Sequence, residues 1–324
     1  MKVGSINNLE NLGSFNGRRV IGKEDIRIIP SSKPTDLEKS IEKKINIPPS
    51  PTVIKQFANG ETYINIKDDM RNKDVYIMPT TGTTVNDNLM ETYLKADAAH
   101  RMGAHKVIAV LPNFPYGRQE RKTEPGEPVS ARVNVALLHA SGVDEVITAD
   151  MHAPALQGFS RQMKITELTS LEAMKDYLKE KTFKSEELVV VSPDLGGVKR
   201  ADKLANELKC SKAVIYKHRS AHNEANAEML LGDVKDKDCI IYDDIIDTAG
   251  TITEAAKMLH NNGARRIYIC ASHGLFNGNA IERIENAPVE EVIVTNSEKN
   301  PNHDKIKQVD LADEVVGAML NISC

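Results

Sequence analysis

The sequence of 324 residues predicts an α/β fold made of two tandem domains, each a mostly parallel sheet flanked by helices. Three observations lead there. Short apolar runs rich in Val and Ile alternate with amphipathic segments, the pattern of parallel strands joined by crossover helices. Nearly every polar constellation follows directly on such a run, and open α/β sheets bind ligands at the carboxyl ends of their strands. The chain also echoes itself. His100-Arg101-Met102-Gly103-Ala104-His105-Lys106-Val107-Ile108 stands against His260-Asn261-Asn262-Gly263-Ala264-Arg265-Arg266-Ile267-Tyr268, each with a strand and a Thr/Gly-rich turn upstream, and residues 26–41 shadow residues 189–204. The implied boundaries are an N-terminal arm at 1–23, a first domain at 24–167 joined by C-terminal residues 305–324, and a second domain at 168–304.

In order, the apolar runs predict strands at 26–29, 53–57, 63–66, 75–78, 107–111, 145–149, 188–191, 213–216, 239–242, 267–270 and 291–295. Helical spacing predicts helices ending near residue 45, at 88–102, at 130–140, after Arg200, at 252–260 and at 311–320. Gly60 between two short β-rich runs signals a hairpin. Residues 1–23 are polar and rich in Gly and Asn, as a mobile arm would be.

Composition narrows the function. The formal net charge of −4 suggests no broad nucleic-acid surface, so local Lys/Arg clusters need local reasons. Cys210, Cys239, Cys270 and Cys324 show neither metal-ligand spacing nor a disulfide framework, which points to a reducing, cytoplasmic setting. No signal peptide and no membrane-spanning run is read, so no membrane partner is expected.

The most informative stretch is Cys239-Ile240-Ile241-Tyr242-Asp243-Asp244-Ile245-Ile246-Asp247-Thr248-Ala249-Gly250-Thr251. An apolar strand is expected to end at Asp243 and Asp244, with Asp247 three residues on and a hydroxyl- and Gly-containing turn opening a helix. Small residues at a helix start leave backbone N–H groups free, and the dipole adds partial positive charge, so such a turn wraps a phosphate monoester. Carboxylates do not bind phosphate; they suit sugar hydroxyls or a hydrated Mg²⁺. Phosphate, diol and metal side by side describe a phosphorylated ribose. The plainer alternative is a strand end whose solvated Asp residues cap the next helix.

Further groups follow other strands. Asp194, Gly196 and Gly197 form a tight turn whose free amides can approach a diphosphate, and Asp194 could carry a Mg²⁺ water. His152 follows another strand, where, taken alone, it reads as a hydrogen-bonded structural histidine before a functional one. Lys217 and Arg219 alternate along one strand edge and so point to one face, as two cations serving a transferring phosphoryl group or as solvated charges. Phe57 reads as a core or edge aromatic taken alone. No Walker A sequence is present, so ATP use does not follow from a P-loop.

Phe57-Ala58-Asn59-Gly60-Glu61, Asn86-Asp87-Asn88-Leu89-Met90-Glu91, Phe114-Pro115-Tyr116-Gly117-Arg118-Gln119, Asp150-Met151-His152-Ala153, Gln157-Gly158-Phe159, the run from Ser192 to Arg200 and the acidic stretch occur in the order seen in ribose-phosphate diphosphokinases. The chain resembles that family, of phosphoribosyltransferase fold, from about residue 26 to residue 320. The resemblance implies that a diphosphoryl group passes from ATP to the anomeric hydroxyl of ribose 5-phosphate with Mg²⁺, giving 5-phosphoribosyl 1-diphosphate and AMP for nucleotide biosynthesis. It implies that Phe57, Asn59 and Glu61 hold adenine from a neighbouring subunit, Arg118 and Gln119 hold the nucleotide, and His152 and Asp194 bind the metal–nucleotide. Lys217 and Arg219 would stabilise the transferring phosphorus from a loop at 217–226 that closes over the site. Asp243, Asp244, Asp247, Thr248, Ala249, Gly250 and Thr251 would hold ribose 5-phosphate, and the implied assembly is a hexamer built from dimers. Glu120-Arg121, Thr123, Asp69, Pro154 and Ser160-Arg161-Gln162-Met163 depart from the family pattern at loop and effector positions. Two rivals remain: a non-catalytic associated subunit, against which the uninterrupted Lys217–Arg219 region argues, and a phosphoribosyltransferase, which would need a base-binding hood but no second domain.

Overall fold

The computed structural model describes residues 22–79, 84–218 and 227–321. The expected arm, apart from Gly22 and Lys23, and most of the 217–226 loop, Arg219 included, lie outside the described residues. The chain divides into two units, residues 1–168 with 312–324, and residues 169–311.

The first unit holds a five-stranded parallel sheet. Its strands are β1 (Ile26–Ile29), β4 (Asp74–Ile77), β5 (Lys106–Val110), β6 (Glu145–Ala149) and β7 (Lys164–Leu168), in the order β1-β4-β5-β6-β7. A separate antiparallel hairpin pairs β2 (Thr52–Gln56) with β3 (Thr62–Ile66). The helices are α1 (Asp36–Ile45), α2 (Val85–Arg101), α3 (Ser130–Ala140) and, from the C-terminus, α8 (Ala312–Asn321). Thr35 caps α1 by accepting the Glu38 N–H, and Tyr76 donates its hydroxyl to the Met319 carbonyl at 2.8 Å, which fastens α8 to the sheet.

The second unit has seven strands in the order β10-β9-β8-β11-β12-β13-β14: β8 (Leu188–Ser192), β9 (Ser211–His218), β10 (Ala227–Leu231), β11 (Asp238–Ile246), β12 (Arg266–Gly274), β13 (Glu291–Thr295) and β14 (Ile306–Val309). All are parallel except β10. Alternate residues of each strand feed two cores. Val189, Val191, Ile241, Ile269 and Val292 pack with Ile252, Ala255, Ala256 and Leu259 of α6 (Gly250–Asn261). Val190, Ile240, Tyr242, Cys270 and Ile293 pack with Met174 and Leu178 of α4 (Leu171–Lys179) and Leu204 of α5 (Val198–Leu208). Burial on both faces is why these strands read as unbroken apolar runs, and each large side chain so buried contributes about 1.5–3 kcal/mol.

The two sheets repeat one topology. The order β1-β4-β5-β6-β7 matches β8-β11-β12-β13-β14, and each first strand and helix is followed by a two-stranded hairpin. In the second unit that hairpin, β9–β10, joins the sheet edge. The expected α/β architecture of two tandem units is the one observed.

Three expectations need correcting. The strand thought to stop before Asp243 continues to Ile246. Its pairing with β8 ends at Ile241, but β12 also runs on, so Asp243 faces Ala271 and Ile245 faces His273. The overhang of β12 is sustained by Thr295, whose hydroxyl donates to the Ser272 carbonyl at 2.6 Å. Residues 305–311, expected with the first domain, belong to the second unit, because β14 pairs with β13. Finally β7, α4, β10, β14 and the six-residue α7 (Ala280–Glu285) were not foreseen; β7 and β14 lie at sheet edges, where half-exposed polar residues dilute the apolar signal.

Candidate active site

In the second unit the candidate site residues lie at the carboxyl ends of β8 and β11. After β8, Ser192 donates its hydroxyl to the Asp194 carbonyl at 2.7 Å, and Asp194 Oδ1 accepts the Gly197 N–H at 2.9 Å. Those two bonds curl residues 192–197 into a tight loop and leave Asp194, Leu195 and Gly196 exposed. A Cβ on Gly197 would lie 2.8 Å from the Ser192 hydroxyl, which would have to move to admit it.

On β11, Asp243 Oδ1 accepts the N–H of Asp244 at 2.9 Å. That turn of the side chain puts it within 3.2 Å of Arg200 Nη1, which also meets Asp244 Oδ1 at 3.2 Å. Adjacent strand residues ordinarily face opposite ways; here one guanidinium gathers both. Burial, then the hydrogen bond and charge of Asp244, push the Asp243 carboxyl well above the usual carboxylate range, while Arg200 pulls it back.

The turn after β11 is braced from α7 and the segment before it. Asn277 donates its N–H to the Asp247 carbonyl and its amide to Asp247 Oδ1, both at 2.9 Å. Arg283 Nη1 donates to the Thr248 carbonyl at 2.8 Å. Ala249 caps α6 at φ 59°, a left-handed conformation costly for a residue with a Cβ. The turn Thr248-Ala249-Gly250-Thr251 therefore opens directly into α6, whose first-turn amides have no acceptor within the helix. Lys217 is the penultimate residue of β9, in register with Glu228.

In the first unit, three of the anticipated groups lie on separate segments. The β2–β3 hairpin tip is held by Phe57 N–H on the Glu61 carbonyl at 2.8 Å, and Asn59 Oδ1 accepts the Glu61 N–H at 3.2 Å. Gly60 takes φ 92° at its apex. Phe57 is 48 % exposed, edge-on to Tyr63 at 5.8 Å, with Lys55 Nζ 4.8 Å from the Tyr63 ring centre. Arg118 and Gln119 follow β5. Gln119 accepts the Ser130 hydroxyl at 2.7 Å and the Ala131 N–H at its carbonyl, seating the loop on the start of α3. His152, exposed, follows β6, and the Thr148 hydroxyl and Ala149 N–H both donate to the Pro112 carbonyl, which ties these neighbouring loops. Glu167 of β7 accepts the Met151 N–H and the Gln157 amide and so shapes the loop that carries His152. The turns after β5, β6 and β11 each contain a non-glycine residue at positive φ, namely Tyr116, Asp150 and Ala249.

The loop after β1 occupies the topological place of residues 194–197 but is filled from within. Glu38 accepts the Ser31 N–H and Glu91 the Ser32 N–H, each at 3.0 Å, and the buried Lys95 donates to Glu91 and to the Pro30 carbonyl. The amides that the second unit leaves exposed are thus taken by the first unit's own carboxylates. Among the positioning residues, Arg200, Asn277, Arg283 and Glu167 escaped sequence reasoning. Arg200 had one legible signal, a cation on the first turn of a helix, where the macrodipole disfavours it.

A parallel sheet with an acidic strand end beside a small-residue helix start defines an enzyme domain of phosphoribosyltransferase type, here present in a duplicated chain. A family model described as the N-terminal domain of ribose phosphate pyrophosphokinase matches residues 26–142, and one described as the phosphoribosyl synthetase-associated domain matches residues 220–323. The chain is 38 % identical over 290 residues to the ribose-phosphate pyrophosphokinase of Fusobacterium nucleatum, covering 90 % of this chain and 92 % of that one. It is 40 % identical over 272 residues to that of Aquifex aeolicus, covering 84 % and 87 %. The crystal structure of phosphoribosylpyrophosphate synthetase from Mycobacterium smegmatis superposes with a TM-score of 0.86 at 30 % identity, over 92 % of this chain and 98 % of that one. The chain belongs to the ribose-phosphate pyrophosphokinase family.

Proposed function

We propose that the protein transfers the diphosphoryl group of ATP to the anomeric hydroxyl of ribose 5-phosphate, releasing AMP and 5-phosphoribosyl 1-diphosphate. The observation that carries this reading is the pairing of Asp243 and Asp244 at the end of β11 with the amide-rich start of α6 a few residues on. The 5-phosphate sits on the turn 247–251, where first-turn amides and the dipole of α6 attract a dianion. Asp243 and Asp244 accept the ribose hydroxyls. The loop 194–197 offers backbone amides to the transferring diphosphate.

Magnesium suits this donor set. Asp194 presents a carboxylate with one oxygen committed to Gly197 N–H, and an ion of this kind is held by one or two protein groups and the substrate's phosphates. Among the described residues, no three His, Cys, Asp or Glu side chains converge as a ready-made cage. Asp194 and His152 are the residues assigned to it. When bound, the ion neutralises phosphoryl oxygens and makes the β-phosphorus more electrophilic.

Little covalent chemistry falls to the protein. The turn after β11 fixes the pentose so that its anomeric oxygen attacks the β-phosphorus in line with the departing AMP, and holding both reactants replaces a bimolecular encounter. Lys217 and Arg219 supply positive charge as charge builds on the phosphorus. Phe57, Asn59 and Glu61 receive adenine from a neighbouring subunit, with Arg118 and Gln119 on the nucleotide. The exposed Phe57 ring is suited to stacking on a base. We assign the chain to the cytoplasm as a homo-oligomer, a hexamer built from dimers. No helix among the described residues is long and apolar enough to cross a membrane.

The decisive assay is the purified chain with ATP, ribose 5-phosphate and magnesium. Stoichiometric AMP and 5-phosphoribosyl 1-diphosphate support the reading; no AMP release overturns it. Lys217→Ala is expected to lower kcat by ~10²-fold or more with KM values little changed, because its charge is needed mainly in the transition state.

A further inference from the structure

Arg200 stands on the first turn of α5, three residues after Gly197, and its Nη1 lies 3.2 Å from both Asp243 Oδ1 and Asp244 Oδ1. The three side chains are 20 %, 16 % and 5 % exposed, so they interact largely out of water, where charges are felt strongly. The helix dipole opposes a cation at this position; the two carboxylates compensate it. A Cβ on Gly197 would come within 3.8 Å of the same Nη1, which shows how close the guanidinium lies to the loop. Arg200 therefore touches both halves of the candidate site, the acidic end of β11 and the helix that begins at the 194–197 loop.

We propose that Arg200 is a positioning residue that couples the pentose subsite to the diphosphate subsite. The inference rests on the pentose binding at β11 as proposed above. Arg200 offsets the repulsion between Asp243 and Asp244, so both stay available as acceptors for the sugar hydroxyls. Because the same side chain is rooted in α5, fixing the carboxylates also fixes the start of the helix that presents the diphosphate loop. Ribose 5-phosphate and diphosphate then reinforce each other's binding, and by linkage the reinforcement is equal in both directions.

The test is titration calorimetry of the full chain with ribose 5-phosphate, with and without saturating inorganic diphosphate, joined to steady-state kinetics. In the wild-type chain, diphosphate is expected to tighten ribose 5-phosphate binding about fivefold or more. In Arg200→Met, ribose 5-phosphate binds about tenfold more weakly, the reinforcement vanishes in both directions, and KM for ribose 5-phosphate rises more than KM for ATP, which rises only by the lost reinforcement, about fivefold. Arg200→Lys, which keeps the charge, is expected to recover part of the affinity. An Arg200→Met chain that melts like wild type and keeps wild-type affinity and reinforcement overturns the role, as does weaker ribose 5-phosphate binding with the reinforcement by diphosphate intact. Should Arg200→Met not fold, Arg200→Gln is read on the same titrations with the same criteria. A wild-type chain that releases no AMP from ATP and ribose 5-phosphate defeats the functional reading itself, whereas an active wild type with an indifferent Arg200 variant defeats only this role.

Discussion

The Asp243 carboxyl is raised chiefly by burial, then by its hydrogen bond and charge contact with Asp244, with Arg200 opposing. For an acid whose folded pKa is raised, stability is lost as pH climbs from the unfolded value through the folded one. At neutral pH folding therefore costs free energy at this group, because the unfolded carboxyl is ionised while the folded one, raised to about 8, still holds its proton. Asp243→Asn is expected to raise the Tm of the ligand-free chain by an amount that grows from pH 5 to pH 8, while raising KM for ribose 5-phosphate about tenfold or more. A Tm difference independent of pH would count against it. Gly197 makes a second residue-scale case. The Cβ of Gly197→Ala would displace the Ser192 hydroxyl from the Asp194 carbonyl and loosen the loop. Diphosphate affinity should fall about 10-fold with a stability cost of about 1 kcal/mol, and calorimetry with inorganic diphosphate reads the first. The acids were legible because their type and spacing are unusual. The closeness of Gly197 to Ser192 was not, since that contact depends on how the loop curls.

In each unit the second strand of the repeated order, β4 and β11, opens on an acid clamped by residues at the entry to the next strand in sequence. Asp238 begins β11, is 1 % exposed, and takes two forked guanidinium groups: Arg265 at 3.0 and 2.8 Å, Arg266 at 2.9 and 2.6 Å. In the first unit, Asp74 begins β4 and meets His105 Nδ1 at 2.7 Å. The duplication thus reproduces a clamp as well as a topology. Burial alone would raise the Asp238 pKa, but the hydrogen bonds from Arg266 and Arg265 outweigh it and hold the group down at about 2. A depressed carboxylate stabilises above its unfolded pKa, and that contribution is lost as pH falls through the folded value. Asp238→Asn should cost about 1–2 kcal/mol at pH 7, once screening of the partly exposed arginines is allowed for, and much less near pH 2. Thermal melts across that range would check it, and a pH-independent penalty would contradict it. At this scale the sequence was generous with buried strands, whose apolar runs are unbroken, and poor with β7, β14 and α7, which are short, polar or both.

Two copies of one domain have diverged in what their loops offer. The second leaves residues 194–196 exposed and the first-turn amides of α6 without an acceptor in the helix, while the first closes the equivalent loop with Glu38, Glu91 and Lys95. Burial depresses the Lys95 pKa, against the pull of Glu91. The loop after β1, sealed in this way, does not offer the Ser31 and Ser32 amides to a phosphate, in keeping with the nucleotide role proposed instead for the hairpin and the loops after β5 and β6. If Phe57 serves a neighbouring subunit, Phe57→Ala and Lys217→Ala chains, each about 10²-fold impaired, should regain activity when co-assembled, because some sites then combine two intact contributions. Mixed oligomers no more active than the mean of their parents would place the ring within its own subunit.

Most of the strands and helices, the duplication and the candidate site residues were legible in local properties: apolar periodicity, the glycines of tight turns and an acidic run before a small-residue helix start. Tertiary structure alone decided which distant side chains hold those residues. Arg200 reaches Asp243 across 43 positions and Arg283 reaches Thr248 across 35. It also extended β11 past its acids, because β12 supplies hydrogen bonds where β8 has ended. Periodicity records which face of an element is buried, whereas the partner on that face is set by how separate elements pack.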